Sequence, residues 1–255
     1  MVKILIMKNT FKIKIHPLFY LFALIAIITG LFREFLTFTF IIVIHELGHI
    51  IGSILFKIYP KQINIYPFGG LTILNMKINT EIYKEFIIAV SGPIFQIISF
   101  LLLKDIFGTN YVKYNYFLLI FNLLPIYPLD GSKILNCFVN KIVSFKLSFY
   151  ITIYISIMCS FLFLTFVFFK HLSFTWIPIL GLLLVKILEE GKNFRFLFNK
   201  FLWERYNYKF KFKREKLINN TDQMHKDYKH LFKINHYLWN EEEILRKKFD
   251  FKNKM

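Results

Sequence analysis

The chain alternates long apolar runs with short polar or basic stretches. Six of these runs are long enough, or nearly long enough, to cross a bilayer, because about 20 apolar residues span its hydrocarbon core. The runs cover residues 17–32, 35–56, 86–103, 114–129, 147–169 and 174–190. This pattern predicts an all-α polytopic membrane protein with about six transmembrane helices.

The loop between the second and third runs has a different pattern. Residues 61–74 alternate polar and β-branched side chains and contain a pair of glycines. A period of two next to a glycine pair predicts a small β-hairpin associated with the membrane. An unpaired hairpin edge can accept an extended substrate as an added strand. The residues expected at the turn, and therefore near substrate, are Pro67, Phe68, Gly69 and Gly70.

Composition excludes an ordinary soluble globule, since 56% of the 255 residues are hydrophobic and 20% are aromatic. Lysine and arginine indicate the orientation in the membrane. Eleven lie on one set of flanks: Lys3, Lys8, Lys12, Lys14, Lys57, Lys61, Lys77, Lys84, Lys133, Lys141 and Lys146. Four lie on the other: Arg33, Lys104, Lys113 and Lys170. The excess predicts that both termini are cytoplasmic.

The C-terminal part carries much of the formal net charge of +17. We expect residues 1–190 to form a membrane-embedded domain and residues 191–255 to form a short basic cytosolic tail. Basic and aromatic residues alternate over 206–213, directly after the last apolar run, so the expected partner is anionic lipid of the bilayer rather than nucleic acid. His225, His230 and His236 share no helix face and are expected in solvent.

A cluster of ionisable residues interrupts the second apolar run, in the order His45-Glu46-Leu47-Gly48-His49. Histidines four residues apart share one helix face, and the glutamate between them can take a proton from water. Such groups are costly in hydrocarbon unless a metal and a water-filled cavity satisfy them. The cluster predicts a site for one zinc ion per chain, with His45 and His49 as ligands and Glu46 as general base.

A third ligand is expected, because catalytic zinc usually takes three protein ligands and keeps one position open. Asp130 is the acidic residue that follows an apolar run broken by Pro125 and Pro128. Each proline removes a backbone donor and ends helical structure. Broken backbone at membrane depth requires protein or water around it. The sequence therefore predicts that Asp130 is presented on non-helical chain to a hydrated protein interior.

HELGH in the second run and the segment from Asn122 to Gly131, NLLPIYPLDG, together resemble the site-2 protease family of intramembrane zinc metalloproteases. Four further segments are similar to the sporulation branch of that family: His16–Pro17, Pro67–Gly70, Ser91–Gln96 and Phe201–Tyr206. The resemblance implies the same zinc ligands, His45, His49 and Asp130, the same base, Glu46, and a contact of Asn122 with the scissile peptide.

The resemblance also implies a function. It is that of an endopeptidase that releases a membrane-associated precursor, a sporulation pro-sigma factor, on the cytoplasmic side. Its location would be the mother-cell membrane around the forespore, and inhibitory membrane proteins would be partners. Relatives often carry a nucleotide-sensing CBS domain, of which the short tail would be a remnant. Two alternatives stay open: a silent binding protein that keeps the metal site, and a site-2 protease acting on an anti-sigma factor.

Overall fold

The computed structural model describes residues 12–66, 69–169, 176–212, 214–234 and 237–250. The first elements are β1 (Lys12–Ile15), α1 (Pro17–Ile28), α2 (Phe32–Leu55), β2 (Pro60–Tyr66) and β3 (Gly69–Leu74). Four long helices follow: α3 (Ile82–Leu123), α4 (Asp130–Ile142), α5 (Phe145–Phe169) and α6 (Trp176–Asn207). The chain continues with β4 (Glu215–Ile218), β5 (Lys229–Ile234), β6 (Tyr237–Asn240) and α7 (Glu241–Asp250).

The chain is a mostly helical, multi-pass membrane protein. Within the described residues, three helices are long and apolar enough to cross a membrane: α2 over Phe32–Ile54, α3 and α5. α3 consists of two helical stretches that meet at Gly108, where φ is +76°. Glycine adopts that backbone conformation without steric cost. The second stretch ends at Leu123, before the first proline of the predicted fourth run.

The contacts divide the chain into two compact units, the first comprising residues 1–76 and 87–122. Its sheet has the order β1-β2-β3, with β1 parallel and β3 antiparallel to β2. This differs in two ways from the predicted two-stranded hairpin. Gly69 and Gly70 lie within β3, opposite Tyr66 and Ile65, rather than at the turn. The outer edge of β2 is occupied by β1, so in the described part of the chain the open edge of the hairpin itself belongs to β3.

Helices α2 and α3 approach each other closely within the first unit. Gly48 and Gly52, one turn apart on α2, face Ser91 and Gly92 of α3, and a Cβ atom at either α2 glycine would overlap them. Small residues spaced four apart allow helix backbones to come together in a membrane. The glycine of the HELGH motif therefore serves helix packing, beside the two histidines.

The second unit comprises residues 77–86 and 123–255. Its long helices α5 and α6 pack side by side and antiparallel. Phe145 stacks on Phe201 with ring centroids 4.4 Å apart, and Phe149 lies 4.6 Å from Phe194. The first turns of α5 are therefore level with the last third of α6. The domain boundary predicted between residues 190 and 191 falls inside α6.

The residues after α6 are folded rather than a loose tail. β4, β5 and β6 form a sheet, with β4 parallel and β6 antiparallel to β5. Apolar side chains from the sheet, from α7 and from the end of α6 form one buried cluster, which includes Phe201, Leu202, Ile218, Phe232 and Leu245. The burial of these residues gives the C-terminal segment a hydrophobic core that its charge does not suggest.

This C-terminal segment buries two of the histidines predicted to lie in solvent, so that prediction is wrong for His225 and His230; His236 lies outside the described residues. The reason is a network around Arg205, which donates to Glu241 at 3.0 Å. His230 Nδ1 donates to Glu241 at 3.1 Å and its Nε2 accepts the backbone N–H of His225 at 3.0 Å. Burial, followed by the charge of Lys216, lowers the pKa of His225 to about 4.

Candidate metal centre

α2 brings His45 and His49 together on one face, one helical turn apart. Their Nε2 atoms are 3.1 Å apart, and the side chains are only 2% and 6% exposed. The spacing follows from the helix itself, because residues i and i+4 lie one above the other.

The other ring nitrogen of each histidine is held by α3. His49 Nδ1 lies 2.7 Å from the carbonyl oxygen of Ile88, which can only accept, so Nδ1 carries the proton. Gln96 donates its amide N–H to the Asn115 carbonyl at 2.9 Å, which leaves its oxygen to accept from His45 Nδ1 at 2.9 Å. Each ring therefore carries a proton on Nδ1, the tautomer that can offer the Nε2 lone pair to a metal.

Two lone pairs that face each other at 3.1 Å repel unless a cation lies between them. Two nitrogens bound to one tetrahedral zinc, each at about 2.0–2.1 Å, are about 3.3 Å apart. The observed separation is close to this value, and the Nδ1–H partners are of the kind that orient metal-binding histidines. The pair therefore fits zinc on its geometry and on the chemistry of its donors.

Gly92 keeps the space around the two imidazoles open. A Cβ atom at this position of α3 would overlap His49 and His45. The adjacent Ser91 donates its hydroxyl to the Ile88 carbonyl at 2.7 Å, the same oxygen that accepts from His49. The Ser-Gly-Pro segment thus serves the histidine pair as well as the helix contact.

Glu46 faces the sheet of the first unit. Thr72 of β3 donates its hydroxyl to Glu46 Oε2 at 2.6 Å. Two residues earlier on the same strand face, a Cβ atom at Gly70 would overlap the Glu46 side chain. The strand therefore passes directly beside the carboxylate, and Gly70 is required there by this close approach. One oxygen of Glu46 is fixed by Thr72.

Asp130 belongs to the second unit and is the first residue of α4, 5% exposed. The prediction of non-helical chain applies instead to residues 124–129, which turn through a Leu129 N–H bond to the Ile126 carbonyl at 2.8 Å. Because a helix N-terminus carries unpaired N–H groups, it favours a carboxylate at its first position. Lys133 Nζ lies 2.8 Å from Asp130 Oδ1.

The remaining predicted site residues are placed as follows. Asn122 is half-buried in the last turn of α3, Gly69 and Gly70 lie in β3, and Pro67 and Phe68 lie outside the described residues. Sequence reasoning assigned no role to Thr72 or to Gln96. Gln96 could have been found, because it is an amide within an apolar run and is fully buried. Nothing in the sequence marks Thr72, whose partner is 26 residues away.

Comparison with known proteins gives a consistent picture, although no family model matches the chain. This chain is 28% identical over 205 residues to stage IV sporulation protein FB of Bacillus subtilis, and the match covers 76% of this chain and 71% of that protein. A putative zinc metalloprotease of Synechocystis is 34% identical over 125 residues, 44% of this chain and 32% of its own length. A zinc metalloprotease of Methanocaldococcus jannaschii is 30% identical over 112 residues, 39% and 32% of the two chains.

The fold has a counterpart among solved structures. A site-2 protease from Methanocaldococcus jannaschii matches 72% of this chain and 92% of its own, with a TM-score of 0.56 and 23% identity. At that identity the match concerns the fold. The paired histidines of α2, the broken segment before Asp130 and the similarity to two zinc metalloproteases agree with one another. On this evidence the chain is a membrane metalloprotease that is similar in sequence to zinc metalloproteases and in fold to a site-2 protease.

Proposed function

We propose that the chain is an intramembrane zinc endopeptidase that cleaves a membrane-associated sporulation precursor of the pro-sigma factor type on the cytoplasmic side. The observation that carries the catalytic part is the histidine pair, whose Nε2 atoms converge at 3.1 Å beside a fixed glutamate. The similarity to a sporulation protein over 76% of the chain supports the substrate class.

His45 and His49 would hold the zinc ion through Nε2, and Asp130 would supply the third ligand. All three are buried, and their types match the three-ligand sites that leave one position open. A zinc ion held by these residues would polarise the scissile carbonyl and lower the pKa of bound water.

Glu46 performs the proton transfers in this mechanism. One carboxylate oxygen, Oε2, is held by the Thr72 hydroxyl at 2.6 Å, which fixes the orientation of the other. The other oxygen takes the proton of the attacking water and passes it to the leaving amine, the role of a positioned general base. Gly70 allows the substrate-side strand to lie against this carboxylate. Asn122 is assigned to the carbonyl oxygen of the scissile peptide.

The substrate would bind as an added strand on β3, which revises the predicted contacts at residues 67–70. The Ile65 carbonyl accepts from His16 N–H at 2.9 Å and so points away from β3. Its antiparallel partner Gly70, and Thr72 two residues on, must then direct their backbone groups to the open edge. These backbone groups flank Glu46, so a strand added there would pass next to the base.

The proposal also covers location and partners. The chain would cross the membrane six times, with both termini in the cytoplasm. It would lie in the membrane around the forespore, with inhibitory membrane proteins as partners. The lysine and arginine asymmetry supports the orientation. A single cysteine at position 77, on a background lacking Cys137 and Cys159, should be labelled only after the cytoplasmic side is opened. Labelling of intact cells at that position would contradict this topology.

Anionic lipid is the second proposed partner, at the segment after α6. Lys209, Lys211 and Arg214 are exposed there, and in the described residues none has a carboxylate within 4 Å. Neighbouring rings contact other basic side chains: the Tyr208 ring lies 3.2 Å from Lys77 Nζ, and Phe212 lies 4.5 Å from the Arg205 guanidinium. Because the end of α6 is level with the start of α5, this basic edge lies at headgroup depth.

The decisive experiment is co-expression with a candidate pro-sigma factor, comparing wild type with Glu46→Gln. The amide cannot accept a proton, so we expect cleavage to fall by at least about 100-fold. Zinc content by elemental analysis should stay near one per chain, because the imidazoles are unchanged. Cleavage at the wild-type rate by Glu46→Gln would remove Glu46 from the mechanism, and absence of zinc from both proteins would contradict the metal site.

A further inference from the structure

The backbone between α3 and α4 has a hydrogen-bonding deficit at membrane depth. Pro125 and Pro128 have no N–H group, and residues 124–129 belong to no helix. Within the segment, Ile126 N–H bonds to the Leu124 carbonyl and Leu129 N–H to the Ile126 carbonyl, both at 2.8 Å. These bonds leave the Tyr127 N–H and the Pro125 carbonyl to be satisfied from elsewhere, because hydrocarbon offers no partner.

A single side chain of α5 satisfies both groups. Tyr127 N–H donates to Ser156 Oγ at 3.1 Å, and Ser156 Oγ lies 3.1 Å from the Pro125 carbonyl. The hydroxyl also lies 2.9 Å from the Thr152 carbonyl of its own helix, so its proton is shared between two acceptors. Ser156 has no exposed surface.

Ser156 is one of four hydroxyl residues on one face of α5: Ser148, Thr152, Ser156 and Ser160. Each is four residues from the next, and Ser160, which is also buried, donates to the Ser156 carbonyl at 2.8 Å. That bond to the preceding turn is the common use of serine within a helix. Ser156 differs from Ser160 because its oxygen also accepts from a different segment, three residues before Asp130.

We propose that Ser156 is a positioning residue for Asp130. It anchors the turn at Tyr127, and the chain then reaches Asp130 through the Ile126–Leu129 turn and the Ser132 hydroxyl, which donates to the Leu129 carbonyl at 2.7 Å. Gly131 completes the arrangement, since a Cβ atom there would overlap the Leu123 and Leu124 carbonyls. Displacement of this turn moves the carboxylate without changing its chemistry. The inference rests on the proposed role of Asp130 as a zinc ligand.

The test compares Ser156→Ala, Ser160→Ala, Ser156→Thr and Asp130→Ala in the purified full chain. The zinc dissociation constant is measured by competition with a chromogenic chelator, and thermal unfolding of the metal-free protein is followed in parallel. Ser156→Ala should bind zinc about tenfold more weakly, the usual effect of removing an outer partner of a metal ligand. Ser160→Ala removes the same hydroxyl one turn away and should bind zinc as wild type does. Ser156→Thr keeps the hydroxyl and should recover most of the affinity.

The outcomes separate this inference from the proposed function. If Asp130→Ala binds zinc normally, the third ligand lies elsewhere and the proposed ligand set fails. If Asp130→Ala loses affinity but Ser156→Ala does not, the ligand stands and the positioning role of Ser156 is wrong. Equal losses in Ser156→Ala and Ser160→Ala, accompanied by equal falls in the metal-free melting temperature, would show a general effect on α5 and would also overturn the inference.

Discussion

At the scale of single residues, the protonation of the two imidazoles is decided by partners on α3. The carbonyl of Ile88 and the side-chain oxygen of Gln96 each accept an Nδ1–H, and this leaves both Nε2 atoms as donors to a metal. The backbone partner is independent of side-chain identity, whereas Gln96 is replaceable. His45 is therefore the histidine whose orientation can be tested by mutation.

We expect Gln96→Leu to weaken zinc binding by about 10- to 100-fold, because His45 loses the acceptor that fixes its tautomer and ring plane. Gln96→Glu keeps the acceptor for His45 but loses the amide that donates to the Asn115 carbonyl, so it should bind zinc more tightly than Gln96→Leu. Chelator competition on the purified protein measures both. Ser99→Ala, three residues along α3 and bonded to Tyr111 instead, is the matched control. Unchanged affinity in Gln96→Leu would show that His45 orients itself.

At the scale of elements, β3 joins Glu46, the proposed general base, to the open edge of a sheet. The Thr72 side chain and the Cα of Gly70 lie against Glu46. The backbone N–H and C=O groups of both residues point to the open edge. Binding through backbone groups tolerates many substrate sequences but depends on substrate N–H groups at alternate positions.

For substrate peptides that carry a single N-methyl group, the rate of cleavage should therefore alternate between low and normal as the methyl group is moved along the peptide one residue at a time. Methylation at a residue whose N–H bonds to Gly70 or Thr72 should lower kcat/KM by about tenfold or more, because one hydrogen bond is lost and a methyl group blocks the edge. Methylation at the neighbouring residue should have little effect. The series is measured with the detergent-solubilised enzyme, and a uniform response along the peptide would show that β3 only connects helices.

The C-terminal sheet should be sensitive to acid. Burial lowers the pKa of His225 to about 4, and burial also lowers that of His230. In the unfolded chain both would bind protons near the ordinary value of 6.5, so the folded state is favoured in full above pH 6.5 and loses this advantage as the pH falls toward 4. Burial raises the pKa of Glu241, but the bond from His230 and the charge of Arg205 outweigh it. The stability that ionised Glu241 gives the folded state is therefore lost only at a lower pH than the stability linked to the two histidines.

Thermal unfolding of the metal-free protein, followed by tryptophan fluorescence in excess chelator, should give a midpoint that is constant above pH 6.5 and falls from there to pH 5. His225→Gln should flatten this dependence, because one of the two titrating groups is removed. His16→Gln, in the first unit, is the control and should leave the dependence unchanged. A wild-type midpoint that is constant from pH 7.5 to 5 would contradict the assignment.

The sequence predicts the helical elements better than their surroundings. HELGH and the broken run before Asp130 could be recognised because polar groups and prolines are conspicuous within apolar sequence. Strand β1 of the first sheet could not be recognised from the sequence. Lys12–Ile15 pairs with residues 50 positions away, and only that pairing makes it a strand. The fold of residues 215–250 could not be predicted either. The segment is rich in charged residues, and its hydrophobic core is completed by Phe145 of α5 and Phe201 of α6.

At the scale of the whole molecule, the basic segment after α6 should make the enzyme prefer anionic lipid. In vesicles, quenching of tryptophan by brominated phosphatidylglycerol and by brominated phosphatidylcholine gives the relative affinity for the two lipids. Replacing Lys209 and Lys211 with glutamine should lower the preference by roughly fivefold per lysine, the value of a cation near a charged surface. Lys229→Gln/Lys233→Gln removes equal charge from β5 and should have a smaller effect. Equal effects of the two pairs would indicate attraction by net charge alone.

Two residues of the C-terminal segment also hold the beginning of α3. Asp227 accepts the Ile82 N–H at 3.2 Å, and Lys226 pairs with Glu85 at 2.5 Å, across more than 140 residues. Six residues beyond Ile82, the same helix offers the carbonyl that orients His49. Because the ribosome makes the chain from the N-terminus, the first turn of α3 lacks these partners until residues 226 and 227 have been synthesised. Chains stalled before residue 226 should therefore expose this turn to added protease.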